Sequence, residues 1–264
     1  MSDNRQPVFL VIGAGGGIGG HCAMRFAVGG YHAVCVRRSD EDALRQLVGR
    51  IEGAGGTATG SLLNAADDGS IEELVERTER DIGPIHTALY NLGAQIGNRS
   101  LDNTPHRIFE LGWRLATFGL FRLAHVLLPA MVARGNGTLL VTSATAAVRG
   151  NAGQHSHAAA MGGRRMLCQT LNGEFAPQGI HVAHVVIDGP VDAPDTLGKM
   201  LGDRFEAFKA GKGDDGVICP AALAETYWHL ANQPKNCWTH ELDVRPHREV
   251  PWWNDNPAPD IGGR

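Results

Sequence analysis

The sequence GAGGGIG, Gly13 to Gly19, follows a short apolar run near the N-terminus. Glycines at this density permit a tight turn and let backbone N–H groups approach a pyrophosphate closely, and a helix beginning there adds a favourable dipole for negative charge. A glycine-rich turn can also be a plain connector, but its position between a strand and a helix favours dinucleotide binding. The predicted phosphate-binding residues are Gly13, Gly15, Gly16, Gly17, Ile18 and Gly19.

Two arginines, Arg37 and Arg38, follow the second apolar run. An acidic residue at this point would bind the adenosine ribose hydroxyls of NAD, whereas guanidinium groups offer forked donors for a 2′-phosphate and a plane that stacks on adenine. A solvated arginine pair on a loop is the alternative. Since a strand end in such a fold meets the nucleotide crevice, the pair favours NADP(H) as cofactor.

The elements that must position these residues alternate between short β-branched runs and longer amphipathic stretches. Continuous apolar strands separated by helices indicate a parallel sheet covered on both faces, and right-handed crossovers make it doubly wound. We therefore predict an α/β fold, a single doubly wound Rossmann-type domain with a parallel sheet over residues 1–264. Predicted strands are Val8–Ile12, Ala33–Val36, Ala58–Leu63, Thr87–Tyr90, Thr138–Val141, Val182–Ile187 and Cys237–Val244; predicted helices are Ile18–Val28, Glu41–Glu52, Ile71–Arg80, Pro105–Ala133, His157–Phe175 and Ala221–Ala231.

Two segments lack a clear period. Pro190–Gly216 is rich in glycine and aspartate, and we predict a long mobile loop that serves as a lid over a substrate pocket. Residues 246–264 are predicted to form an irregular tail. Its Trp252 and Trp253 need a surface to bury against, such as a neighbouring subunit.

Bulk composition narrows the function classes. The formal charge of −4 provides no basic field for nucleic acid or anionic lipid, and we find no run of 18 apolar residues and no signal-peptide pattern. The five cysteines form no CxxC pair, which is typical of reduced thiols. The histidine pairs have no accompanying carboxylate cluster, so we expect no metal. The expectation is a cytoplasmic protein with a small-molecule substrate and neither a nucleic-acid nor a membrane partner.

Several ordered motifs resemble those of the short-chain dehydrogenase/reductase family. They are Gly13-xxx-Gly17-Ile18-Gly19, Leu63-Asn64-Ala65-Ala66-Asp67, Tyr90-Asn91-Leu92-Gly93 and Asp188-Gly189-Pro190. The resemblance covers nearly the whole chain. It implies cofactor contacts for Asn64, Ala65, Asn91, Gly93 and Gly189. It also implies a subunit interface on the helix His157–Phe175, and hence a homodimer or homotetramer.

The catalytic residues of that family are missing from the matching positions. His157 stands where the family has its tyrosine, and Met161, four residues later, stands in place of the lysine. Ala144 replaces the serine, Ala116 the asparagine and Ala193 a threonine that contacts the nicotinamide. Groups facing the adenosine half of the cofactor are thus largely kept, and groups facing the reacting half are largely lost. Residues that act as a unit fail together, so the family's ordinary mechanism is removed.

Two residues are candidates for replacement chemistry. A histidine can give or take a proton near neutral pH, so His157 can act as acid or base, or it can be a packed histidine at a defunct site. Ser143 adjoins the position of the lost serine, and a shifted backbone would turn its hydroxyl inward, although adjacent side chains usually point to opposite sides.

Three functions follow from these residues. The first is an atypical NADP(H)-dependent oxidoreductase that acts on a small carbonyl or alcohol substrate and uses His157. The second is a non-redox enzyme on the same scaffold, such as an isomerase, cyclase or lyase. The third is a catalytically silent nucleotide-binding subunit. Because the cofactor-binding features survive, the first is the leading hypothesis.

Overall fold

The computed structural model describes residues 5–93 and 99–254. Seven parallel strands form one sheet in the order β3-β2-β1-β4-β5-β6-β7. This confirms the predicted α/β class and doubly wound topology. The strands are β1 (Val8–Ile12), β2 (His32–Arg37), β3 (Thr57–Leu62), β4 (Ile85–Tyr90), β5 (Gly137–Ala144), β6 (Ile180–Ile187) and β7 (Glu241–Val244).

Helices cover both faces of the sheet and create two hydrophobic cores. One core packs α1, α2 and α9 on the sheet, and the other packs α3, α5 and α6 on the opposite face. All residues of β1 and β6 are buried, as expected for strands enclosed on both sides. The helices are α1 (Ile18–Val28), α2 (Glu41–Gly53), α3 (Ser70–Asp81), α4 (His106–Trp113), α5 (Gly119–Arg134), α6 (His155–Phe175), α7 (Lys199–Leu201), α8 (Phe205–Lys212) and α9 (Pro220–Ala231).

A π-helical turn, Arg114–Phe118, joins α4 and α5 into one long helix where the sequence predicted a regular one. The Tyr90 hydroxyl donates to the Leu115 carbonyl over 2.5 Å, and the Arg164 Nε donates to the Ala116 carbonyl over 3.0 Å. External donors thus satisfy carbonyls in the turn whose regular helical bonding is altered.

The joined helix His106–Arg134 is, among the described residues, the one long and apolar enough by composition to cross a membrane. Its most apolar window is 56% buried within the fold. Leu120, Leu123 and Leu127 are fully enclosed in the core beneath the sheet. It therefore has the character of a core helix of the domain.

The structure places short helices in Pro190–Gly216, where the sequence predicted a long mobile loop without them. The segment folds into a π-helical turn (Pro194–Gly198), α7, a 3₁₀ turn (Gly202–Arg204) and α8. Phe205 is 8% exposed, and the Lys209 ammonium lies 4.6 Å from the centre of its ring. These helical pieces are too short and too rich in glycine to show a helical period. The lid role stays a prediction.

The C-terminal region is irregular up to residue 254, apart from a short 3₁₀ turn, and the remainder of the predicted tail lies outside the described residues. Trp252 is anchored within its own chain. Its backbone N–H donates to Asp188 over 3.0 Å and its indole Nε1 donates to Asp243 over 2.9 Å. The last strand is shorter than predicted, because pairing with β6 is confined to Glu241–Val244.

Candidate functional site

The glycine loop lies where the strand order reverses, between β1 and β4. The chain leaves β1 toward β2 on one side, while β4 continues toward β5 on the other, which opens a crevice at the carboxyl ends of the strands. Asn91 closes the base of the loop: its Nδ2 donates to the Gly13 carbonyl over 2.9 Å, and its backbone N–H donates to Ile12 over the same distance. Asn91 therefore shapes the backbone of the loop.

Two positions in the loop require glycine. Gly13 has a φ of +104°, a conformation that side-chain-bearing residues rarely adopt. A β-carbon on Gly19 would meet the Gly13 carbonyl and lie 3.0 Å from the Asn91 Nδ2. Ile18 begins α1 and packs in the core beside the loop. The loop and the start of α1 are held in the close packing that a phosphate cradle needs.

A carboxylate of the chain itself lies in this cradle. The Gly16 N–H donates to Asp195 Oδ2 over 2.7 Å, and Arg37 reaches the same oxygen over 3.0 Å. Burial opposes ionisation of Asp195, but the Gly16 hydrogen bond and the charges of Arg37 and Lys199 outweigh it and hold the pKa of this carboxyl below its usual value. One amide of the loop and the Arg37 guanidinium therefore converge on a single anionic oxygen.

The two arginines differ in their surroundings. The Arg37 side chain is 11% exposed and lies 3.5 Å from Asp40 as well as contacting Asp195. Arg38 is exposed at the rim of the crevice. One guanidinium is therefore already held by carboxylates, and the other is available to solvent.

The remaining predicted cofactor residues have structural roles in the turns around the crevice. Asn64 Nδ2 donates to Asp67 over 2.7 Å, and the buried Ala65 offers its carbonyl to Arg122 over 3.1 Å. Gly93 is exposed beyond β4. Gly189, with a φ of +152°, lies against Pro246 at the base of the tail. Cofactor contacts for these four residues remain a prediction.

Two positions where the resembled family has polar catalytic groups, Ala116 and Met161, pack with Ala146 and Ala160 in a small apolar cluster, which we call the alanine–methionine cluster. Met161 is 2% exposed. The Ser143 hydroxyl donates to the Met161 sulfur over 3.8 Å and is itself buried, so it faces α6 in this structure. A catalytic role for Ser143 stays a prediction.

His157 lies half-buried in the first turn of α6. It borders a crevice of about 10 Å³ that Thr104, Ile108 and Gly153 also line. A space of this size holds about one water molecule. The turn is fixed to α4, because the neighbouring Ser156 hydroxyl donates to the Phe109 carbonyl over 3.1 Å.

Arg164, one helical turn beyond Met161, is 1% exposed. Its Nη1 donates to the Thr142 carbonyl over 2.5 Å and its Nη2 to the Leu92 carbonyl over 2.6 Å, in addition to the Nε bond to the Ala116 carbonyl. Its guanidinium lies 5.3 Å from the centre of the Tyr90 ring. Burial lowers the pKa of this group. Arg164 joins β4, β5, α6 and the π-helical turn beneath the site.

Sequence reasoning missed both Asp195 and Arg164. Asp195 lies 179 residues from the amide that it binds, so no local pattern connects them. Arg164 did leave a signal, since a positive charge three residues after Met161 falls on the same helical face.

Comparison with known proteins gives consistent matches. A family profile described as short chain dehydrogenase matches residues 7–199. The short-chain reductase protein NovJ of Streptomyces niveus is 30% identical over 244 residues, which cover 90% of this chain and 92% of that protein. A 3-oxoacyl-[acyl-carrier-protein] reductase of Thermotoga maritima is 29% identical and covers 72% of this chain and 76% of its own length.

Solved structures agree with this fold. A short-chain dehydrogenase from Rhodopseudomonas palustris superposes with a TM-score of 0.77 at 32% identity, covering 92% of this chain and all of that one. A metagenomic short-chain oxidoreductase in complex with NADP has a TM-score of 0.76 at 21% identity, with 92% and 97% covered. The second likeness concerns the fold alone.

Proposed function

The chain belongs to the short-chain dehydrogenase family, and from that premise we propose that it is an NADP(H)-dependent oxidoreductase acting on a small carbonyl or alcohol substrate. One observation carries the proposal: the Gly16 N–H and the Arg37 guanidinium converge on a single anionic oxygen at 2.7 and 3.0 Å. Donors so arranged at a helix N-terminus suit a pyrophosphate. The NADP in a structural neighbour is in keeping with this cofactor.

The preference for NADP(H) rests on Arg37 and Arg38. Both follow the end of β2, where the ribose of a bound dinucleotide lies in this fold. The exposed Arg38 has its forked donors available for a 2′-phosphate. Arg37 would also bind the 2′-phosphate once it is released from Asp195 and Asp40.

His157 supplies the proton in the proposed reaction. The cofactor, when bound, supplies or accepts the hydride. An imidazole near neutral pH can give a proton to the carbonyl oxygen or take one from the alcohol. The half-buried position of His157 at the start of α6, beside a crevice, supports this role.

A second candidate is a dinucleotide-binding subunit without catalysis. The alanine–methionine cluster favours it, because Ala116, Ala160 and Met161 have no polar side-chain group that could orient a ribose or a carbonyl. Under this candidate, nucleotide binding persists and no hydride is transferred. The non-redox alternative has no specific observation in its favour.

We also propose a cytoplasmic homo-oligomer, either a dimer or a tetramer. All five cysteines are free thiols, which suits a reducing compartment. Trp113, Phe118 and Phe121 stack in a row along the joined α4–α5 helix, and Trp113 and Phe121 are 42% and 48% exposed. A subunit interface would cover such a row.

The test is NADPH consumption with a panel of small aldehydes and ketones. Replacing His157 with Ala should lower the rate by about 10²–10⁴-fold, since a general acid contributes on that order. The matched control is His229→Ala, an exposed histidine in the last turn of α9 that does not line this crevice, which should keep the wild-type rate. An equally active His157→Ala enzyme would remove the proton role. NADPH binding without turnover of any carbonyl would favour the second candidate.

A further inference from the structure

We propose that Asp195 is an internal competitor for the dinucleotide phosphates: its carboxylate closes the glycine loop, and the nucleotide must displace it, together with the segment that carries it. The proposal rests on the proposed function, because the competitor matters only if a dinucleotide binds there. Its premise is a contact between two parts of the chain that are far apart in sequence.

The first step is steric. A β-carbon added to Gly15 or Gly16 would lie 3.5 or 3.2 Å from Asp195 Oδ2, and one added to Gly17 would lie 2.7 Å from the Ala193 Cβ. The segment after β6 therefore lies directly on three consecutive glycines of the loop. A pyrophosphate seated on the same backbone would overlap with it.

The second step is electrostatic. The Gly16 N–H has one hydrogen to donate, and Asp195 already accepts it at 2.7 Å. A phosphate oxygen and this carboxylate carry like charges and require the same donor, so the two exclude each other. Arg37 is shared in the same way, since it contacts Asp195 and Asp40. Displacement of Asp195 would therefore make the Gly16 N–H available to the nucleotide and would release Arg37 from one of its two carboxylate partners.

The third step connects the competitor to the rest of its segment. Asp195 belongs to the π-helical turn Pro194–Gly198, whose Gly198 N–H returns to the Ala193 carbonyl over 3.0 Å. Gly198 packs against Phe205 at the start of α8. Before the turn, two backbone hydrogen bonds hold the segment to the rest of the domain: the Asp192 N–H donates to the Ile218 carbonyl, and the Ile218 N–H donates to the Pro190 carbonyl. Release of Asp195 would thus free the turn and α8 above a fixed base, so that nucleotide entry and lid opening are one event.

The first experiment measures NADPH affinity of the whole protein by calorimetry. Asp195→Ala removes the competing carboxylate, so NADPH should bind about tenfold more tightly, which corresponds to ~1.4 kcal/mol. Asp195→Asn, which loses the charge and keeps the shape, should show a smaller gain. The matched control is Asp203→Asn, an exposed carboxylate of the same segment, which should leave the affinity unchanged.

The second experiment needs no nucleotide. Hydrogen exchange of the cofactor-free protein should be faster in Asp195→Ala than in wild type for peptides covering Gly13–Gly20 and residues 194–212, because the contact that protects both is gone. Asp203→Asn should exchange as wild type does.

The two readouts separate failure of the competitor from failure of the proposed function. Faster exchange with tighter NADPH binding supports both. Faster exchange in a protein that binds no dinucleotide leaves the Asp195 contact standing and overturns the proposed function. Hydrogen exchange that is the same in Asp195→Ala as in wild type overturns the proposal that Asp195 competes with the nucleotide. NADPH affinity that is unchanged or weaker in Asp195→Ala overturns it as well. In either case, NADPH binding by the wild-type protein still supports the proposed function.

Discussion

Met161 and its neighbours pack as an apolar cluster that includes two positions where the sequence comparison predicts polar groups in the family. A lysine at position 161 would need buried partners for its ammonium, and Ala116 and Ala160 offer none from their side chains. With methionine there, the same space closes as an apolar cluster, and even the Ser143 hydroxyl turns to the thioether. The replacements are therefore physically consistent with one another.

Restoring the lysine alone should destabilise the protein. Met161→Lys places an ammonium in a space that is 2% exposed, so the free energy of unfolding should fall by about 2 kcal/mol or more. Urea unfolding measures this. Met166→Lys on the same helix is the control, because Met166 is 51% exposed and the change should be nearly neutral. A Met161→Lys protein as stable as wild type would mean that the cluster opens readily to water.

At the scale of elements, Arg164 links α6 to the strands and the π-helical turn beneath the site. The Arg164 guanidinium donates to a carbonyl of β5, to one just after β4 and to one in the π-helical turn. One side chain therefore fixes α6 against three other parts of the fold. The crevice beside His157 lies near the start of the same helix, so the orientation of α6 sets that of its proposed acid.

Removing the Arg164 guanidinium should lower the free energy of unfolding much more than removing the guanidinium of Arg165. Arg164→Met leaves two buried carbonyls and one partly buried carbonyl without this donor, and the free energy of unfolding should fall by about 3 kcal/mol or more. Arg165→Met removes a partly exposed ion pair with Glu241 and should cost less than about 1 kcal/mol. Thermal and urea unfolding of the two variants provide the comparison. Equal losses would show that the carbonyls find water or other donors when Arg164 is absent.

The regular elements were largely predictable from sequence, and the exceptions have physical causes. A strand such as β6 leaves a continuous apolar run, and an amphipathic helix such as α3 leaves a helical period. The π-helical turn left none, because it depends on Tyr90 and Arg164 approaching from other elements. The segment with Asp195 was predicted as a loop without helices, since its short helices are stabilised by a few contacts such as that of Phe205 with Gly198.

At the scale of the whole molecule, the site has two halves on one sheet that differ in polarity. Around β1 and β2, glycine backbone, Asn91 and the arginines retain a cradle for an anion. Around β5 and α6, Ala116 and Met161 pack with Ala146 and Ala160 in an apolar cluster. Sequence comparison with the family's motifs predicted this asymmetry of residue types. It could not predict that the chain's own carboxylate would lie in the surviving half, because that contact exists only after folding.

Calorimetric titration with NADPH, NADP⁺, NADH and NAD⁺ tests most directly whether the surviving half binds its cofactor. NADPH should bind more tightly than NADH, and Arg38→Ala should weaken NADPH binding by about 10- to 100-fold while changing NADH binding little, since a hydrogen bond to a charged group contributes about 1.5–3 kcal/mol. Arg50→Ala, an exposed arginine at the far end of α2, should bind as wild type does. Binding of none of the four dinucleotides, by wild type or by Asp195→Ala, would contradict the account.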